Sequence, residues 1–253
     1  MVNKIISCPQ YWINQILDTV FPKVCVGCGK FTGSHDFDYV CRKCFKEIKT
    51  KSQLECIGCK RHTNLGFTCV FCQKDNPIDQ LLITTDLAHK LVDKTLKVYK
   101  YEFIPDIYKP LSVLARKSIK KLIAKGFNLF DDNPLITAVP LHKTRLNKRG
   151  FNQAQLIAKD AADFFHMSYV DDVLVRKYNS KNQADIKTRE DRLINVRNNF
   201  RIGNSQAVKG RSVILVDDIC TTGATLNECA KVLKENGAGR VVGFVIARGQ
   251  FKN

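Results

Sequence analysis

The sequence predicts an α/β fold, an open and mostly parallel sheet preceded by a small cysteine-rich metal-binding module. Two observations carry this expectation. Residues 213–247 read as strand, turn, helix and strand: the apolar run Val213–Val216, a group of small polar residues, a helical stretch over Thr225–Asn236 closed by Gly237, and a second apolar run, Val241–Ala247. A strand that is apolar on both faces is the kind that parallel sheets bury, and strand alternating with helix favours an open α/β sheet. The other observation is that eight of the eleven cysteines form four Cys-x-x-Cys pairs within residues 25–72. The 253 residues accommodate one large domain or two unequal ones,. The expected division is 1–22 as a short amphipathic helix, 23–75 as the metal module and 76–253 as the sheet domain.

From the N-terminus onward, Trp12, Ile13, Ile16, Leu17, Val20 and Phe21 recur at helical spacing, and Pro22 limits that helix,. The opening MVNKIISCPQ has no signal-peptide layout,. No apolar run reaches the length of a membrane span, so a cytoplasmic protein with reduced thiols is expected.

The pairs Cys25/Cys28, Cys41/Cys44, Cys56/Cys59 and Cys69/Cys72 are separated by 12, 11 and 9 residues. Such gaps let two pairs meet on one tetrahedral ion, and each Cys-x-x-Cys turn presents two thiolates from one knuckle. Two Zn²⁺ ions would use all eight. Spacing leaves open whether neighbouring pairs combine sequentially or interleave. His35 and His62 lie close by, but eight cysteines leave them no vacancy. Cys8, Cys220 and Cys229 have no metal-ligand spacing.

The formal charge is +17, of which +5 belongs to residues 1–75. Eight thiolates and two zinc ions would leave the metal module nearly neutral, so the basic character belongs to the rest of the chain. Residues 89–125 alone carry 10 basic and 3 acidic side chains. This much charge attracts polyanions without proving that it binds them.

Beyond the polar turn Lys74–Pro77, the pattern predicts a strand over Ile78–Thr85, helices over Leu87–Tyr99 and Leu111–Leu122, and a short strand over Leu135–Leu141. A helix over Asn152–Phe165 and a small strand at Val173–Val175 follow,. Gly150 and Asn152 read as turn and helix cap, and Phe151 as a packing anchor,.

The sharpest constellation is VILVDDICTTGATL, residues 213–226. Its apolar strand delivers Asp217 and Asp218 to the carboxyl end, where open α/β sheets bind ligands. Thr221, Thr222, Gly223, Ala224 and Thr225 then turn into a helix whose N–H groups and hydroxyls suit a phosphate. Two carboxylates beside a phosphate cradle suit a phosphorylated sugar, whose hydroxyls need acceptors. Neither G-x-G-x-x-G nor G-x-x-x-x-G-K-[ST] is present, which excludes dinucleotide and P-loop sites,.

This segment resembles the phosphoribosyl-pyrophosphate (PRPP) motif of type I phosphoribosyltransferases. The whole chain resembles the ComF/ComFC family of competence-associated proteins through Pro22–Gly29, the four cysteine pairs, VPLHKTRLNKRGFNQ at 139–153, NQADIKTREDRLINVRNNF at 182–200, and the stretches Ala230–Val241 and Ala247-Arg248. It departs from the family at Glu102, where glycine is usual.

The resemblance implies a type I phosphoribosyltransferase-like sheet and a role for each candidate residue. Asp217 and Asp218 would hold the ribose hydroxyls and assist Mg²⁺, and Cys220, Thr221, Thr222, Gly223, Ala224 and Thr225 would surround the 5-phosphate. His142, Lys143, Arg145, Lys148 and Arg149 would form a basic pyrophosphate loop. Arg176 and Lys177 would begin a mobile hood, and Arg189, Arg192 and Arg197 are candidates for a nucleic-acid path. The implied chemistry is displacement at the anomeric carbon with pyrophosphate leaving. Cys220 is not expected to act as a nucleophile, because no base is paired with it. The implied partners are PRPP, single-stranded DNA during natural transformation, and a DNA-uptake helicase or other competence protein. A metabolic phosphoribosyltransferase acting on a small acceptor and a non-catalytic binding scaffold are the alternatives.

Overall fold

A computed structural model describes residues 23–33, 37–126, 128, 134–178 and 189–249. The expected N-terminal helix, Cys8, His35 and most of the polar loop after Lys177 lie outside these residues. In chain order the elements are α1 (Arg42–Glu47), β1 (Gln80–Asp86), α2 (Lys90–Tyr101), α3 (Tyr108–Ile123), β2 (Leu135–Ala138), α4 (Lys143–Arg149), α5 (Gln153–Phe165), β3 (Ser168–Tyr169), β4 (Leu174–Arg176), α6 (Arg189–Val196), β5 (Phe200–Ile202), β6 (Val213–Cys220), α7 (Ala224–Glu235) and β7 (Val241–Arg248).

Five strands pair in the order β1-β7-β6-β2-β3, every neighbour parallel. The expected open parallel sheet is therefore present. β7 is buried along all eight residues, the apolar run Val241–Ala247 and the Arg248 that follows it. β4 and β5 form a separate antiparallel pair. No helix among the described residues is long and apolar enough to cross a membrane.

Two local differences from the sequence pattern matter. The strand expected to end at Val216 continues as β6 to Cys220, because Asp217, Ile219 and Cys220 stay in register with Val245, Ala247 and Arg248 of β7. Backbone pairing on this side outweighs the polarity of the two aspartates. The segment 143–149 is also a helix rather than a loop. His142 caps it by accepting a hydrogen bond from the Thr144 amide at Nδ1, and Gly150 ends it in the left-handed conformation at φ 76°. Asn152 caps α5 as expected, its Oδ1 accepting from the Ala154 amide at 3.1 Å. The Phe151 ring packs 5.5 Å from that of Tyr99.

Gly237 closes α7 at φ 92°, with the Ala238 amide donating to Leu233 O at 3.1 Å and the Gly237 amide to Lys234 O at 3.0 Å. This paired closure satisfies carbonyls that the helix end would otherwise leave without partners.

The cysteine-rich segment covers the open edge of β1. Phe67 bridges Gln80 in antiparallel fashion, the Thr68 amide donates to Asp79 O at 2.9 Å, and Gln80 Nε2 donates to Leu65 O at 2.6 Å. An exposed strand edge invites pairing with other chains, and this cover removes the opportunity.

Candidate functional site

The site follows from the topology. From β2 the chain leaves through α4 and α5 toward β3, whereas from β6 it leaves through α7 toward β7 on the opposite side. The two connections diverge, and the carboxyl ends of β2 and β6 flank a crevice, the switch point where open α/β sheets hold ligands. A cleft lies there, lined by Val139 and Leu141 after β2, by Asp217, Asp218 and Thr225 around the end of β6, and by Lys100, Arg145, Arg149, Asn152 and Arg176.

Four cations against two carboxylates make this cleft net positive. Asp218 is buried and paired with Lys100, its Oδ1 2.9 Å from Nζ. Asp217 Oδ1 accepts a hydrogen bond from the Asp218 amide at 2.8 Å. Burial, reinforced by the Asp218 charge, pushes the Asp217 carboxyl up to about 7, against the opposing pull of Lys100,. A buried carboxyl beside a second carboxylate is poised to gain from a cation or from hydroxyl donors.

The five residues expected to form a basic loop divide by helical geometry. Arg145 and Arg149 are four apart, share one face of α4 and line the cleft, and Arg149 Nη1 also donates to Gln153 Oε1 at 3.0 Å,. Lys143 and Lys148 are exposed, and His142 serves as the helix cap.

Arg176, expected at the start of a hood, lines the cleft. It is the last residue of β4, buried in the cleft with its guanidinium 5.3 Å from the Phe200 ring centroid. Burial lowers its pKa, and the neighbouring Cys229 and Asp217 oppose that shift. Lys177 is exposed.

The expected phosphate turn also divides. Gly223 has φ 85° and precedes the first residue of α7, while Thr222 Oγ1 accepts from the Ala224 amide at 3.3 Å. Thr225 reaches the cleft. Cys220 does not belong to the turn: it ends β6, is buried, and its sulfur accepts from Arg248 Nη1. Burial raises its pKa, which suits a packed thiol rather than a nucleophile,. Arg189 and Arg192 fall on α6, and Arg197 is exposed just after it.

Sequence reasoning missed Lys100, Gln153 and Arg248. Lys100 comes from the last turn of α2, which is held against the start of α5 by reciprocal bonds: Tyr99 Oη to Gln153 O at 3.1 Å and Gln153 Nε2 to Tyr99 O at 3.2 Å. The unusual Glu102 caps α2 at φ −96°, a conformation that needs no glycine.

The eight paired cysteines form two groups, Cys25, Cys28, Cys41 and Cys44 in one, and Cys56, Cys59, Cys69 and Cys72 in the other, with all four sulfurs of each within 4.8 Å of one another. The pairing is therefore sequential. A tetrahedral zinc with Zn–S bonds of about 2.3 Å holds its sulfurs roughly 3.8 Å apart. Cys28 and Cys41 are 3.8 Å apart, as are Cys56 and Cys69. The Cys41 amide donates to Cys25 Sγ at 3.3 Å and the Cys69 amide to Cys56 Sγ at 3.4 Å, bonds that favour thiolates.

The thiols within each cluster are pushed in opposite directions. An Arg61 backbone amide brings Cys59 down to about 6, while burial and bonds to its three partners lift Cys72 to about 12. A cation between four clustered sulfurs would offset the mutual repulsion of their thiolates. Both donor sets fit zinc.

Comparison with known proteins agrees with this geometry. The family model for the phosphoribosyl transferase domain matches residues 148–250, which hold Arg149, Arg176, both aspartates and the turn. The fold and site thus define an α/β protein of phosphoribosyltransferase-like type with a cysteine-rich N-terminal region. DNA utilization protein YhgH of Escherichia coli O157:H7 is 30% identical over 83% of this chain and 90% of that protein. Competence protein F of Haemophilus influenzae is 26% identical over 89% and 90%, and competence protein ComFC of Bacillus subtilis is 28% identical over 83% and 84%. The chain belongs to the family of DNA utilization protein YhgH and is similar to the ComF competence proteins.

Proposed function

We propose that this protein binds magnesium-PRPP in the cleft between β2 and β6 and acts in the handling of single-stranded DNA taken up during natural transformation. The observation that carries the PRPP reading is the convergence, at one switch point, of an acid pair, a glycine turn opening a helix, and Arg145 with Arg149 on the opposite wall. Asp217 and Asp218 would accept the ribose hydroxyls, the 221–225 turn would take the 5-phosphate, and the two arginines would take pyrophosphate by charge-assisted hydrogen bonds. Magnesium would neutralise the pyrophosphate and assist its departure.

This arrangement suits displacement at the anomeric carbon, in which catalysis is mainly placement of charge around an oxocarbenium-like state. The DNA part of the reading is supported by the family's DNA utilization and competence proteins and by the chain's charge of +17. In this reading residues 23–75 hold two zinc ions and form an adaptor on the sheet domain at 76–253. A competence helicase is a partner of matching role.

The test is calorimetric titration of zinc-loaded protein with PRPP, with and without Mg²⁺, alongside the Asp217→Asn/Asp218→Asn double variant. Saturable, magnesium-dependent binding that the double variant loses is the expected result. Binding that survives in that variant, or none at millimolar PRPP, would shift the reading to a non-catalytic scaffold. A matching titration with oligo-dT at rising salt tests the DNA part: affinity should fall steeply as phosphate-bound counterions are released.

A further inference from the structure

We propose that the second cysteine cluster shapes the phosphate-binding turn, so that metal held by Cys56, Cys59, Cys69 and Cys72 and a 5-phosphate bound at residues 221–225 strengthen each other. This inference rests on the PRPP reading and extends it to the residues that set the turn's conformation.

Both knuckles of the cluster reach the turn. In the first, Ile57 lies between two ligand cysteines and is fully buried. A Cβ added to Gly223 would lie 2.8 Å from Ile57 Cγ1 and 3.0 Å from Cδ1, so the Ile57 side chain packs directly on the Gly223 backbone. The carbonyl of the same Ile57 accepts from Arg248 Nη2 at 2.8 Å. That buried arginine also donates from Nε to Glu55 Oε1 at 3.1 Å and from Nη1 to Cys220, the residue preceding the turn.

The second knuckle reaches the turn through two asparagines. Asn76 Nδ2 donates to Cys72 O at 2.8 Å, Asn227 Nδ2 donates to Asn76 Oδ1 at 2.7 Å, and the Asn227 amide donates to Gly223 O at 2.9 Å. A Cβ on Gly58 would lie 2.9 Å from both Cys72 Sγ and Asn76 Nδ2, which shows how closely the two knuckles and this bridge pack.

Among the described residues, the first cluster packs away from the turn. It packs at the start of α2, where a Cβ on Gly27 would meet Leu91 Cδ1 at 3.0 Å. The two clusters therefore differ in what they support. If metal fixes the spacing of the second pair of knuckles, it fixes Ile57 and Asn76, and through them the carbonyl and backbone of Gly223. Linkage then requires that a ligand favouring the ordered turn also favours the metal-bound knuckles, by the same factor in each direction.

The experiment uses the full zinc-loaded chain and follows zinc release to a zinc-selective chromophore after thiol modification, with and without saturating magnesium-PRPP. The expected result is that PRPP slows release of one of the two zinc ions about tenfold and leaves the other unchanged. Ile57→Ala should abolish that protection and weaken PRPP at least about fivefold, with zinc content and pyrophosphate affinity unchanged, while Ile57→Val restores the wild-type behaviour. A general loss of structure would lower pyrophosphate affinity as well, so the selective loss separates positioning from packing. Intact, Asp217-dependent PRPP binding combined with equal zinc release overturns this inference and leaves the PRPP reading standing. Absence of PRPP binding to the wild-type chain overturns both.

Discussion

At the scale of single residues, the cleft is defined by Asp217 and by Arg145 and Arg149, which line it together. Burial and the Asp218 charge raise Asp217 to about 7. Below that pH the carboxyl is neutral and a poor partner for magnesium-linked ribose, and above it the anion is available. Magnesium-PRPP affinity should therefore rise between about pH 6 and 8, with a proton released on binding, as calorimetry in buffers of different ionisation enthalpy will show. For the free protein the sign is opposite. A carboxyl whose folded pKa is raised favours the fold at low pH, and that contribution is lost as pH climbs from about 4 through 7. Lys100 draws Asp217 downward and pairs with Asp218, so Lys100→Met should move the binding midpoint to higher pH. Arg145→Ala or Arg149→Ala should each cost pyrophosphate affinity about tenfold, the value of a lost charge-assisted bond. Lys143→Ala and Lys148→Ala, which change exposed residues, should stay within about twofold.

At the scale of elements, strand and helix were largely legible in the sequence, and their contacts were not. The apolar runs Val213–Val216 and Val241–Ala247 announced β6 and β7, and the glycine after Asn236 announced the end of α7. β3 has two residues and exists only because β2 offers a parallel edge, so no periodicity could reveal it. The division of the basic segment into cleft-facing and exposed cations was latent in the four-residue spacing of Arg145 and Arg149, and became readable once 143–149 proved helical. Lys100 and Arg248 gave no local signal, because their roles come from docking α2 on α5 and the cysteine knuckles on β7. Gly223 was legible as a turn glycine, though the side chain that constrains it lies far away in sequence. Gly223→Ala should destabilise the fold by about 1–3 kcal/mol through its left-handed backbone alone, and further through the clash with Ile57. Urea denaturation will measure this.

At the scale of the whole molecule, the cysteine-rich segment is part of the architecture that holds the cleft. It covers the β1 edge, and Lys51 ties it to both Glu55 and Asp86 at 2.8 and 2.7 Å. The sequence showed that eight cysteines suffice for two ions but left their pairing open, since either arrangement satisfies tetrahedral chemistry and only the chain path decides. Elemental analysis of the purified protein should give two zinc ions per chain. Strong chelation should unfold residues 23–75, because structural zinc sites derive much of their folding free energy from the metal, on the order of 10 kcal/mol. The cleft should then lose PRPP affinity while the sheet retains its far-ultraviolet signal.

The most direct test of the central claim is a crystal structure of the zinc-loaded protein with magnesium and PRPP. The expected result is the 5-phosphate against residues 221–225, the ribose hydroxyls on Asp217 and Asp218, and pyrophosphate between Arg145 and Arg149. PRPP bound elsewhere on the protein, with that cleft empty at saturating ligand, would contradict it.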